Sequence, residues 1–532
     1  MAFWESDKNS STQVAKSDYE SQKSSSPDSE IVVQEGGIQV IAPETSRSIG
    51  VVSATFLIFN RMIGTGIFAT PGTIFGQCGS VGLTLFIWVV GALISAAGLM
   101  VYLEWGSMIP KNGAEKAYLE YFYRKPRLLM TSLYGSYMFF MAWAASNSIV
   151  CGQYLLLAGG VEPDRWNQRG VGLGCITFAF LVHGLALKWG LRIQNVLGIF
   201  KLIVIVIIVV IGWVAMSGRL NIERTHAFHN AFENTNADAY GIVNALYNVM
   251  WSFIGYSNAN YALAETKNPH RILKIAAPLA ITIVTILYMF VNLAYFAVVP
   301  RDQILNSGTI LAGNFFGIVW GKRGETAMSV FVALSALGNV MAVIFSQGRI
   351  VQELGREGSL PFSRFFASSR PLNSPLAGLF EHWLICVIII LAVPPGDAYN
   401  FLVNLISYPY SIVNAFVALA LIVIYINKKR YPEWNPPIKA SLPVTVFFFL
   451  SSVYLIAAPY VPPRSAADSV YKSLPYYLHC VVAWGIFAVG GIYWLVWARI
   501  IPRIRGYTLD FEEYVDDDGW AKKKVVKIYK SD

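Results

Sequence analysis

The chain has 532 residues, 55% of them hydrophobic and only 14% charged, with a formal net charge of +9. A soluble domain carries about 25% charged residues, so water is excluded as the surroundings of most of this chain. The basic residues sit at the ends of apolar runs and not along one amphipathic face, which reads as membrane topology and speaks against a nucleic-acid surface.

Residues 1–48 are polar and Ser-rich, as in SDKNSSTQVAKSDYESQKSSSPDSE. Such a segment buries too little apolar surface to fold alone, so it is expected to be a disordered tail. It has no early apolar core and does not read as a signal peptide. Apolar runs follow at 49–75, 82–108, 128–159, 170–187, 193–217, 241–265, 275–299, 325–353, 376–393, 398–426, 443–462 and 475–500. A membrane helix needs about 20 mostly apolar residues, so the fold class is an all-α membrane protein of about 12 transmembrane helices. The amphipathic stretch Thr309 to Trp320 is expected to form a surface helix before the eighth span. Residues 501–532, with the acidic stretch Asp510 to Asp518, form a solvated C-terminal tail.

Cys78, Cys151, Cys175, Cys386 and Cys480 are scattered through apolar runs. No metal-ligand spacing or disulfide framework is present, and neither a metal nor a cofactor is expected. With the N-terminus inside, the inner loops hold about twice as many Lys and Arg as the outer ones. Both termini are therefore expected in the cytoplasm. The single N-x-S/T sequon, at Asn9, then lies inside and should carry no glycan.

Two spans are interrupted at matching places. The first reads FLIFNRMIGTGIFATPG, with Gly64 and Gly66 mid-membrane; the sixth reads YNVMWSFIGYSNANYALAE, with Gly255 among polar and aromatic residues. Four spans separate them. Two broken helices in corresponding positions point to a transporter site built on inverted repeats. The repeats would be spans 1–5 (49–217) and 6–10 (241–426), inverted because five is odd, with helices 11 and 12 (443–500) added.

An amino acid is a zwitterion, and broken helices can hold one without charged side chains. Free N–H groups at a helix start favour an anion, and free C=O groups at a helix end favour a cation. The N–H groups of Thr65, Gly66 and Ile67 would face the carboxylate. The carbonyl of Ile63 and those of Trp251, Ser252 and Phe253 would face the ammonium. Gly64, Gly66 and Gly255 let backbone approach the ligand. Two other readings of Gly64–Ala69 exist. As a GxGxxA dinucleotide motif it lacks the acidic residue about 20 positions on and lies within a membrane run. As a helix-packing notch it leaves the matching break in span 6 without a reason.

At these residues the chain resembles a known family. Asn60-Arg61-Met62-Ile63-Gly64-Thr65-Gly66-Ile67-Phe68-Ala69-Thr70-Pro71 is similar to the span-1 signature of the amino acid–polyamine–organocation superfamily, L-type branch. Glu265-Thr-Lys-Asn268-Pro269-His-Arg271, Ser346-Gln-Gly-Arg349 and Arg356-Glu357-Gly358-Ser-Leu-Pro361 resemble further motifs of that branch. Asn60-Arg61 and Trp251-Ser252-Phe253 look most like its fungal high-affinity methionine permeases. Pro110-Lys-Asn-Gly-Ala departs from the branch, where animal members have a serine and two glycines. The resemblance covers about residues 49–460. It implies alternating access driven by a proton gradient at the plasma membrane. It makes Trp251 an aromatic lid over the substrate, and Lys201 the span-5 lysine that replaces a sodium ion.

Lys201 stands alone in GIFKLIVIVI. Such a lysine costs roughly 2.5–3.5 kcal/mol on insertion scales. It would either tie span 5 to broken span 1 and to Ser335 or Asn339 of span 8, carrying or sensing a proton, or snorkel to the inner surface. Arg61, just before the break, would line the inner exit or pair with Glu104 or Glu265. Ala145, Ser146 and Asn147 of span 3, and Asn404, Ser407 and Tyr408 of span 10, are small and polar enough to shape a side-chain pocket or to join helices. His183, His382 and His479 have no acidic neighbour in sequence and read as packing residues.

No GxSxG, HExxH or acid–histidine cluster supports an enzyme. The expected function is proton-coupled uptake of a neutral L-amino acid, methionine first. The alternatives are an exchanger of broader neutral specificity and a sensor that binds without transport. The expected partners are a small amino acid, protons and the bilayer, with no nucleic acid. Tail lysines Lys8, Lys16 and Lys23 would serve a ubiquitin-ligase adaptor.

Overall fold

The computed structural model describes residues 32–34, 37–39, 51–109, 114–236, 238–257, 271–370, 372, 374–515 and 521–529, and the following statements concern these. The tail lysines, Pro110 to Gly113, the Glu265–Pro269 motif and Asp516 to Asp518 lie outside them.

Seven helices are long and apolar enough to cross a membrane: Val81–Met108, Leu187–Met216, Leu273–Val298, Leu311–Arg356, Pro395–Ile426, Leu442–Tyr460 and Leu478–Arg505. They match spans 2, 5, 7, 8, 10, 11 and 12. The other five are shorter or broken. Span 1 consists of α1 (Val51–Met62), α2 (Gly66–Ala69) and α3 (Pro71–Cys78). Span 3 is split into α4 (Leu129–Phe140) and α5 (Ala145–Ala158). Span 4 is Arg165–Leu185, opened by a capping box in which Asp164 accepts from Trp166 and Asn167. Span 6 begins with α6 (Ala239–Phe253), whose start is capped by Asp238. Span 9 is the 17-residue helix Leu376–Ala392. The fold is the twelve-span, five-plus-five arrangement with broken helices 1 and 6.

Two departures from the sequence reading concern helices. Span 3 is not continuous, because Met141 to Ala144 leave the helix without a Gly or Pro to mark the place. The amphipathic stretch before span 8 is helical from Leu311 and runs into the span across Gly321, whose φ of 69° breaks the helical path.

The C-terminal segment adds a hairpin. Strand Tyr507–Val515 pairs antiparallel with Ala521–Tyr529, setting Glu512 opposite Lys524 and Phe511 opposite Val525. Opposite charges facing across a strand pair stabilise it modestly. Tyr507 and Leu509 bury against Leu128, Val525 donates to the Glu357 carbonyl (2.8 Å), and Asp510 pairs with Arg127 (3.0 Å). The hairpin is thereby fastened to the end of span 8 and to the segment before α4.

Candidate functional site

Span 1 is helical only to Met62. Ile63 still donates to Phe59 O (3.0 Å), then Gly64 and Thr65 leave the helix. The next backbone bonds run from Phe68 and Ala69 to Thr65 O (3.1 and 2.9 Å) and from Thr70 to Gly66 O (2.8 Å). The N–H groups of Gly66 and Ile67 therefore precede any helical acceptor, as at every helix start. Ile74 donates to Thr70 O (2.9 Å), so α2 and α3 form one arm. In span 6, α6 ends at Phe253, Ile254 leaves the helix in a turn with ψ at 129°, and Gly255 has a φ of 114°, a conformation open to glycine.

The two breaks cross at two points. A Cβ on Gly66 would lie 2.7 Å from Ser252 Cα, and one on Gly255 would lie 2.7 Å from Arg61 Cγ. Tyr288 of span 7 holds the crossing together: its hydroxyl is 3.0 Å from both Met62 O and Ser252 O. The Thr65 hydroxyl donates to Asn147 Oδ1 of span 3 (2.6 Å), and Thr70 and Ser252 hydroxyls meet at 3.3 Å.

Between the breaks lies a cavity of about 40 Å³. Its wall comes from Arg61, Met62, Gly64, Thr65 and Gly66 of span 1, Trp143 and Asn147 of span 3, Trp251 and Ile254 of span 6, and Asn339 and Val343 of span 8.

Seven of the expected residues, Arg61, Gly64, Thr65, Gly66, Asn147, Trp251 and Asn339, thus share one wall. Ser252 and Gly255 back it through the two crossings, and Ile63 and Ile67 are buried in the adjoining turns. The Ile63 carbonyl accepts no hydrogen bond among the described residues. The carbonyls of Trp251, Ser252 and Phe253, expected to face an ammonium, already accept from Ile254 N–H (3.2 Å), the Tyr288 hydroxyl and Tyr256 N–H (3.4 Å). Phe253 turns away to the rings of Tyr288 and Trp88. Ala145 is buried in the first turn of α5, where Trp143 and Asn147 on either side supply the wall. Asn404 lies elsewhere: its amide donates to Asn244 Oδ1 and the Tyr471 hydroxyl, both at 2.8 Å.

Residues 49–486 match the family model described as amino acid permease. The chain belongs to the amino acid permease family. The permease is 54% identical over 486 residues to the high-affinity methionine permease of Saccharomyces cerevisiae, covering 91% of this chain and 84% of that protein. It is 31% identical over 473 residues to the low-affinity methionine permease of the same yeast (87% and 84% covered). It is 29% identical over 477 residues to the b(0,+)-type amino acid transporter 1 of Mus musculus (86% and 90% covered). It is a multi-pass transporter of amino acids and not an enzyme.

Lys201 of the permease is 2% exposed, so it does not reach a surface. Its ammonium donates to Asn339 Oδ1. Asn339 Nδ2 in turn crowds Gly64, where a Cβ would lie 2.6 Å from it. Lys201 therefore meets the span-1 break through Asn339, not through Ser335, whose buried hydroxyl finds no partner among the described residues. Arg61 does not pair with Glu104. That carboxylate accepts from Tyr425, from Trp434 Nε1 (2.9 Å) and from Ala440 N–H (2.7 Å), joining span 2 to span 10 and to the segment before span 11. Glu265, the other partner expected for Arg61, lies outside the described residues.

Proposed function

We propose that the permease takes up methionine with protons by alternating access. The observation that carries the reading is the cavity between the two helix breaks, walled by Gly64, Thr65, Gly66 and Trp251. A zwitterion placed there sets its carboxylate against the N–H groups of Gly66 and Ile67 and its ammonium toward the Ile63 carbonyl. The carbonyls of span 6 contribute through their second lone pairs. The thioether extends toward Trp143, Trp251 and Val343, surfaces that suit a polarisable sulfur. The yeast relative at 54% identity, a high-affinity methionine permease, supports that substrate.

Trp251 swings over the substrate, and the bundle of spans 1 and 6 then rocks to open the other side. Lys201, held against the span-1 break through Asn339, senses or carries the coupling proton. In this reading the permease works in the plasma membrane with both termini in the cytoplasm. Its tails present lysines to a ubiquitin-ligase adaptor; normal substrate-triggered removal after mutation of the tail lysines would refute that part.

The test is uptake of labelled L-methionine into liposomes holding the purified protein, with and without an inward proton gradient, against unlabelled competitors. Gradient-driven accumulation, blocked best by methionine, is expected. Flux that needs internal amino acid and ignores the gradient would make the protein an exchanger. Saturable binding without flux would make it a sensor.

A further inference from the structure

Tyr399 lies in the second turn of span 10, a span that contributes nothing to the cavity wall. It is 3% exposed. Its hydroxyl faces Trp251 and Thr65, one from each broken helix. Yet among the described residues it completes no hydrogen bond. Buried hydroxyls are nearly always paired, and an exception calls for a reason.

The chemistry of the neighbours narrows that reason. The indole N–H of Trp251 can only donate, so it suits the oxygen of Tyr399. The Thr65 hydroxyl hydrogen is already committed to Asn147 Oδ1 at 2.6 Å. Thr65 Oγ1 keeps lone pairs that can accept, but no bond from Tyr399 reaches it among the described residues, so the hydrogen of Tyr399 is left to donate, on the side of the site where the N–H groups of Gly66 and Ile67 also lack helical acceptors. Three uncommitted donors on one side of the site, Gly66 on the cavity wall with Ile67 and Tyr399 behind it, suit an anionic group.

We infer that Tyr399 donates its hydroxyl hydrogen to the carboxylate of the bound amino acid and so selects substrates that carry one. The inference rests on the proposed seating of the substrate at the broken helices. It adds a span-10 contact to a site otherwise built from spans 1, 3, 6 and 8.

The test compares L-methionine with L-methioninol, in which a hydroxymethyl group replaces the carboxylate, by calorimetric titration of wild type and Tyr399→Phe. Losing one charge-assisted hydrogen bond should weaken methionine binding by roughly tenfold or more, with methioninol nearly unaffected. The unliganded midpoint of thermal unfolding should hold or rise, since the substitution removes an unpaired buried hydroxyl. If methioninol binds too weakly to measure, the methionine loss and the midpoint decide together. Unchanged methionine affinity, equal weakening of both ligands, or a lowered midpoint would overturn the inference. Should Tyr399→Phe not purify, Tyr399→His, which keeps a ring donor, must bind methionine more tightly than Tyr399→Leu. Failure of the site itself reads differently: wild type would bind no methionine, or Gly66→Ala would bind it normally.

Discussion

A Cβ on Gly66 would lie 2.7 Å from Ser252 Cα, a backbone atom that no rotamer change can move aside. Gly66→Ala must therefore push spans 1 and 6 apart. Overpacking of this kind costs about 1–3 kcal/mol, and here it falls where helix ends and substrate should meet. Methionine uptake by Gly66→Ala is expected to fall at least tenfold while the protein still reaches the membrane, as labelled uptake and surface labelling would measure. Lys201→Ala leaves Asn339 Oδ1 buried without its donor, a penalty of about 1–3 kcal/mol. Uptake driven by a proton gradient should fall more than equilibrium methionine binding in that variant; equal losses in both would count against a coupling role. The glycines and Lys201 are legible in the sequence because each is out of place in an apolar helix. Tyr288, Tyr399 and Trp143 are not, because an aromatic residue in a membrane span looks the same whether it packs or binds.

Span 6 alone would be an ordinary capped helix, and span 1 alone a short one. Tyr288 makes a unit of them, reaching Met62 O and Ser252 O with a single hydroxyl at 3.0 Å. Tyr288→Phe removes that tie and the one hydrogen that the two buried carbonyls share. A loss of about 1–2 kcal/mol in unfolding stability is expected, with weaker methionine binding, and thermal unfolding with and without methionine would separate the two effects. Broken spans 1 and 6 could be read from Gly64, Gly66 and Gly255. The break in span 3 could not, because Met141-Ala-Trp-Ala144 contains no residue that disfavours a helix strongly. That break nonetheless brings Trp143 and Asn147 to the cavity. Its cause lies in packing between spans, which periodicity along one chain does not record.

At the scale of the molecule, one ion-pair cluster outside the spans fastens the helix Glu115–Phe122 to the end of span 8. Lys116 Nζ lies 2.8 Å from Glu120 and 2.7 Å from Glu357, with its side chain 10% exposed. Burial alone would lower the affinity of Lys116 for its proton, but the two carboxylates outweigh it and hold the ammonium charged. Glu357 also offers its carbonyl to Val525 of the C-terminal hairpin. Glu357→Ala keeps that carbonyl and removes one of the two carboxylates facing Lys116. Breaking a buried pair outright costs about 3–5 kcal/mol. With Glu120 retained and Glu357 a quarter exposed, a loss of about 1–3 kcal/mol is expected, and chemical denaturation of the solubilised protein would check it. Twelve spans, their repeat and the family could all be read from hydropathy and motifs. The hairpin could not, because its strands mix charged and apolar residues in a segment that composition marks as solvated tail.

The central claim is that the substrate sits between the two breaks. A structure of the permease determined with L-methionine tests it most directly. The account predicts density for the amino acid between Gly66 N–H, Trp251 and Asn147, its carboxylate on the span-1 arm and beside Tyr399. Methionine bound away from both breaks, with Gly66 and Trp251 untouched, would contradict it.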